Sequence, residues 1–154
     1  MGFSEKMRDS LGAEGAKIEV AAGDAAVAPG ATTKVAIAIV GGSKPAVVDA
    51  VVVRLIEADR HWQDGSGARI SEADASAREH RDGLVAGWTR NTLLERRVEV
   101  GVTVEAGGRH ELVVDVDVPA ACKGSGPACN HTVHVQADIK GQIDPTGQGR
   151  ITVG

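Results

Sequence analysis

The chain of 154 residues has no tyrosine, one phenylalanine and two tryptophans. So few rings leave it without the aromatic platforms on which single-stranded nucleic acids stack. A basic excess is also missing: the formal net charge is -4 and the pI is near 5.7, whereas phosphate neutralisation requires clustered Lys and Arg. Both shortages exclude nucleic acid as the expected partner. No apolar run reaches membrane-spanning length, and the N-terminus has no apolar signal-peptide core followed by a cleavage site. The expectation is a cytoplasmic protein with no transmembrane segment, with peripheral envelope association left open. Gly2 follows Met1, but Lys6 stands where a myristoylation signal has Ser or Thr.

What the chain has in quantity is β-branched aliphatic residues, twenty-one Val and eight Ile against six Leu, with twenty Gly and five Pro. Such residues are stiff at χ1 and suit pleated surfaces, which points to an all-β sandwich or barrel. A single domain over residues 1–154 is expected. At this size roughly two thirds of the unfolded surface is buried on folding, so the core needs no disulfide staple.

The strand pattern is clearest at the C-terminal end. Val133, Val135, Ala137 and Ile139 share one parity while Thr132, His134, Gln136, Asp138 and Lys140 share the other, the alternation of a half-buried strand. Asp144-Pro145 and the glycines at 147 and 149 break it, and Arg150 to Val153 forms a short last strand. Upstream, Phe3, Met7 and Leu11 at helical spacing predict a short amphipathic helix within residues 1–15. Lys17 to Val20 alternates, Ala28-Pro29-Gly30 turns, and Thr33, Val35, Ile37 and Ile39 share a face, a hairpin-like pair. Val47 to Ile56 is apolar on both parities and reads as a central strand covered on both sides. Arg60 to Arg90 loses periodicity and is expected to be a long loop or to hold a short helix, with Ser71, Glu72 and Asp74 capping it and His80 near its end. Val98, Val100, Val102 and Val104 resume the alternation; Gly107-Gly108 turns; Leu112, Val114, Val116 and Val118 point inward; Pro119 stops the strand. Six or seven strands result.

The segments MGFSEKMRDSLGAEGAKIEV, APG, AVVDAVVVRLIEAD, VTVEAGGRHELVVDVDVP and VHVQADIKGQIDPTGQG together resemble the sporulation-control protein family with an arrestin-like N-terminal domain. The resemblance covers most of the chain apart from residues 60–90. It implies an arrestin-like (immunoglobulin-like) antiparallel β-sandwich with a short N-terminal helix. It also implies an adaptor or scaffold in developmental or cell-envelope regulation, with no reaction and no cofactor. The sequence departs from the family where Val114 or Val116 replaces a usual aromatic, and at Gly147-Gln148-Gly149, where an acidic or aromatic residue is usual. Family members continue into a second sandwich, so the chain is either a one-domain member or cut at the domain boundary.

Candidate chemistry is sparse. Cys122 and Cys129 flank a Gly-rich loop, and three states suit them: free thiols, a disulfide whose closure contributes about 2 to 3 kcal/mol in the chain-entropy model, or metal ligation. For metal, His131 shares the face of Cys129, with His110 or His134 as the fourth ligand, but strand alternation sends His134 to the opposite face and the spacing matches no zinc signature. Ordinary surface histidines are expected. No nucleophile elbow or cysteine-protease signature occurs, so no enzyme is expected. Asp115, Asp117 and Asp138 are read as solvated carboxylates and Asp144 as a turn residue accepting backbone N-H groups. Trp62 and Trp88 are either partner anchors or core closures. The expected function is protein binding, to other proteins or to a second copy, with a metal- or redox-responsive module based on Cys122 and Cys129 as the alternative.

Overall fold

The computed structural model describes residues 15–23, 25–77 and 83–154. The helix expected over residues 1–15 lies outside them but for Gly15. In chain order the elements are β1 (Lys17–Ala22), β2 (Thr32–Val40), β3 (Ala46–Gln63), β4 (Arg69–Ile70), α1 (Glu72–Ala77), β5 (Val85–Val104), β6 (Arg109–Asp117), β7 (Cys129–Ile139) and β8 (Thr146–Ile151). They form two antiparallel sheets. One is β1-β2-β6; the other places β3 between β5 and β7, with β8 beyond β7 and β4 at the far end of β3.

Strand alternation decides what lies between the sheets. Val35, Ile37 and Ile39 of β2 and Val114 and Val116 of β6 turn inward, and from the second sheet so do Val51, Val53 and Leu55 of β3 and Val133 and Val135 of β7. Each such side chain stabilises the fold by roughly 1.5 to 3 kcal/mol relative to exposure. Burial along β7 alternates through the whole strand, as its sequence predicts. β3 is central, but only its inward side is sealed; Val52, Arg54 and Ile56 on the outward side are half-buried rather than covered. Among the described residues no element packs over that face.

The described parts of residues 60–90 hold the ends of β3 and β5, β4 and the short helix α1 rather than loop alone. β3 and β5 pair continuously from Ala46↔Val104 to Gln63↔Val85, with register shifts near Val48 and Leu55. The β7 partner of β3 stops at Asp59↔Cys129, so the hairpin projects past the sheet as an arm. Charged residues on both parities hid this strand, because an arm beyond the core has no face to bury. The short helix does occur: Ser71 Oγ accepts the Asp74 N-H at 3.1 Å, the N-cap geometry, and its expected continuation toward His80 is outside the described residues. Glu72 ties the helix to the arm, accepting hydrogen bonds from Trp62 Nε1 at 2.6 Å and from Arg60 Nε at 3.0 Å and Nη2 at 2.5 Å.

At the other end the two sheets nearly touch. A Cβ on Gly147 would lie 2.6 Å from the Ile18 carbonyl oxygen, and one on Gly149 would meet Val20 at 3.2 Å. Glycine at these inward positions of β8 lets β1 lie directly across it. Asp144 anchors the preceding turn by accepting the Ile139 N-H at 3.1 Å.

Gly147→Ala should destabilise the protein by about 1 to 3 kcal/mol through overpacking against backbone, measured as a lower denaturant midpoint at unchanged slope. Gly65→Ala, with nothing within 4 Å, should not. Glu72→Ala should shift tryptophan emission to the red by releasing Trp62, with the global unfolding transition nearly unmoved because the arm lies outside the core.

Candidate functional site

His131 is fully buried, at 0% exposure, and Glu57 is buried at 6%. They are cross-strand partners, Glu57 on β3 directly opposite His131 on β7, with Asp59 opposite Cys129 two residues along. The expectation of a surface histidine is therefore overturned, and the cause is the register: His131 continues the inward parity of Val133 and Val135. The loop before β7 closes over it. Ser125 N-H donates to the Val153 carbonyl at 2.7 Å, Gly126 N-H to the Cys129 carbonyl at 2.8 Å, and Arg60 N-H to the Ala128 carbonyl at 2.8 Å.

The loop carries Cys122 to within 3.1 Å of His131 Nε2, where Glu57 Oε2 stands at 3.2 Å and Cys129 Sγ at 4.0 Å. Cys122 Sγ also lies 3.6 Å from Glu57 Oε2. On the far side of the ring, Ser125 Oγ sits 2.7 Å from Nδ1 and accepts the Val153 N-H at 2.9 Å. Both cysteines are free thiols. Lys123 Nζ pairs with Asp59 Oδ2 at 3.2 Å at the rim.

Burial pushes the Cys129 thiol up to about 12, with Asp59 and Glu57 adding to the shift. Burial and the Glu57 carboxylate also raise Cys122. A nucleophilic cysteine needs a readily formed thiolate, and this anionic setting opposes one. Two thiols, an imidazole and a carboxylate converging are instead the donor set of a thiophilic divalent metal. Glu57, Cys129 and His131 place one donor atom each within 4.8 Å of one another.

The other sequence candidates are elsewhere. His110 is on β6, opposite Ile39 in the other sheet. His134 faces outward from β7, its Nδ1 buried and without a hydrogen-bond partner among the described residues, and burial, then Arg54 and Arg90, lowers its pKa. Neither joins the cluster. Asp115 pairs with Lys34 at 2.9 Å, Asp138 with Arg97 at 3.2 Å, and Asp117 accepts from Thr32 Oγ1. The residues that the sequence reading missed are Glu57 and Ser125. Glu57 had a signal: it stands on the parity of the inward residues Val51, Val53 and Leu55, a carboxylate where the pattern calls for an aliphatic. Ser125 had none, since its role depends on the loop's path.

The tryptophans part company. Trp62 is held by Glu72 and stacked by the Arg60 guanidinium at 5.2 Å. Trp88 is 47% exposed. It walls a shallow trough of about 390 Å³ across the outward face of the second sheet, with Ile56, Ala58, Arg90, Thr132 and Arg150. The trough and the cluster lie back to back, on alternate residues of the same stretches of β3 and β7. Among the described residues no helix is long and apolar enough to cross a membrane.

No curated protein matches the sequence. Among solved structures, the Spo0M sporulation control protein from Bacillus subtilis is similar with a TM-score of 0.69 and 18% identity, over 90% of this chain and 49% of that one. The chain thus spans about half of that protein. Two others are more distant. AvmM, which catalyses macrocyclization in alchivemycin A biosynthesis, has a TM-score of 0.48 at 9% identity over 92% of this chain and 89% of that one. A family 123 glycoside hydrolase from Clostridium perfringens has a TM-score of 0.42 at 10% identity over 90% and 27%. The family model described as SpoOM protein matches residues 4–154, and the chain belongs to that Spo0M family, whose Bacillus subtilis member is a sporulation control protein.

Proposed function

We propose that this chain is a non-enzymatic regulatory module, an arrestin-like sandwich acting in the cytoplasm as an adaptor that captures an extended, acidic segment of a partner protein. The observation that carries this reading is the trough beside Trp88. An exposed tryptophan next to two arginines, Arg90 and Arg150, with no carboxylate in the lining, offers a rigid apolar anchor flanked by cationic donors, the residue types that concentrate binding energy at interfaces. β5 supplies the second half. It is a 20-residue strand whose only strand partner among the described residues is β3, so its other backbone edge is open to an added strand.

The comparable groove over the β1-β2-β6 sheet fits less well. Its guanidinium, Arg109, is already paired with Glu19 at 3.0 Å and Glu111 at 2.6 Å. A lipid surface is a poorer occupant of the trough than a peptide, because Asn130, Thr132 and Gln148 line it with groups suited to hydrogen bonding. Membership of a sporulation-control family supports a regulatory setting.

Fluorescence anisotropy with labelled extended peptides, acidic or basic at alternate positions, tests the reading. Acidic peptides should bind, Trp88→Ala should weaken them at least tenfold, about 1.4 kcal/mol, and Arg150→Glu should remove the charge preference. Equal binding of acidic and basic peptides, or variants indistinguishable from the parent, would refute it.

A further inference from the structure

We infer that Cys122, Cys129, His131 and Glu57 form a zinc site that locks the 119–129 loop onto the inward face of the second sheet. Geometry carries this. Bonds of about 2.3 Å to sulfur and about 2.0 to 2.2 Å to nitrogen and oxygen place tetrahedral ligands roughly 3.4 to 3.8 Å apart. Four of the six separations among these donors, Nε2 to Cys122 Sγ at 3.1 Å, Nε2 to Glu57 Oε2 at 3.2 Å, Cys122 Sγ to Glu57 Oε2 at 3.6 Å and Nε2 to Cys129 Sγ at 4.0 Å, bracket that range. Glu57, Cys129 and His131 already lie within 4.8 Å of one another, and Cys122, beside Nε2 and Glu57, completes the set when its side chain turns toward Cys129.

The surroundings meet the remaining requirements of a metal site. Ser125 Oγ at 2.7 Å from Nδ1 orients the ring. When Nδ1-H donates to that hydroxyl, the Nε2 lone pair faces the sulfurs and the carboxylate. When the proton is on Nε2, it donates to Glu57 instead, which is the metal-free arrangement. Cys122 is only partly buried, so the ion enters from the loop side. Loading exchanges protons for metal in balance: two thiol protons leave to solvent, the imidazole proton moves to Nδ1, and one Zn²⁺ joins two thiolates, one carboxylate and a neutral imidazole. The resulting site is singly negative, and the Lys123 ammonium lies at its rim. Donors come from β3, from the loop and from β7, so one ion bridges segments 65 residues apart in sequence. This inference is independent of the peptide-binding reading, since the trough uses the opposite face of the same strands.

The test is metal content of the reduced full chain, followed by cobalt substitution of chelator-treated protein. The expected result is one zinc per chain, and a cobalt form with the visible bands of tetrahedral coordination and a sulfur-to-cobalt charge-transfer band. Cys122→Ser and Cys129→Ser should each weaken that band, and His131→Gln and Glu57→Gln should lower affinity. Ser125→Ala should keep the spectrum while weakening affinity about 10- to 100-fold. That variant keeps all four ligands, so it stays informative if a ligand variant fails to fold by circular dichroism. Uptake below a tenth of an equivalent, a cobalt spectrum without the thiolate band, uptake unaffected by both serine variants, or a mass two hydrogens lighter under reducing conditions would overturn the inference.

Discussion

The pairing of β3 with β7 is the constraint on which the rest of this structure depends. Its register runs from Val48↔Ile139 to Asp59↔Cys129, and because side chains alternate with a period of two, that register fixes both faces at once. Inward, it stacks Val51, Val53 and Leu55 with Ala137, Val135 and Val133, then places Glu57 opposite His131. Outward, it aligns Ile56 and Ala58 with Thr132 and Asn130 beneath Trp88. A slip of one residue would turn the Glu57–His131 pair to solvent and the trough into the core.

Polar groups at the end of an aliphatic core need compensation. A buried carboxylate without partners costs several kcal/mol, and Glu57 Oε2 has an imidazole nitrogen and a thiol within bonding distance. A divalent cation satisfies the carboxylate, both sulfurs and the ring together. It also stiffens the wall behind the trough, since Glu57 and His131 flank Ile56, Ala58, Asn130 and Thr132 in sequence. Metal site and peptide surface would then share two strands without sharing a side chain. The proposed metal site would add to the Spo0M-family fold a chemical device that the family resemblance does not imply.

Much of the architecture was legible in the sequence because the strands that face the core obey one rule. β6 and β7 alternate cleanly, Gly107 makes its turn with a positive φ of 70°, and Pro119 and Asp144 do what their chemistry dictates. The arm escaped notice because Arg60 to Gln63 and Val85 to Trp88 bury no continuous face, so no periodicity marks them. The departure from the family pattern at Gly147-Gln148-Gly149 acquires a physical reason only in three dimensions, where β1 backbone occupies the space a side chain would need. Three of the four proposed ligands were visible in the sequence as Cys122, Cys129 and His131. The fourth was sought among His110 and His134, because spacing along the chain says nothing about which strand lies alongside.

X-ray absorption at the zinc edge of the intact, reduced protein tests the central claim most directly, because it reads the ligand shell without a substitution. The register of β3 and β7 predicts two sulfur scatterers at about 2.3 Å and two lighter ones, nitrogen and oxygen, at about 2.0 to 2.2 Å. A shell of nitrogen and oxygen alone, or four sulfurs, would mean that the metal is held elsewhere, and the account of this cluster would be wrong.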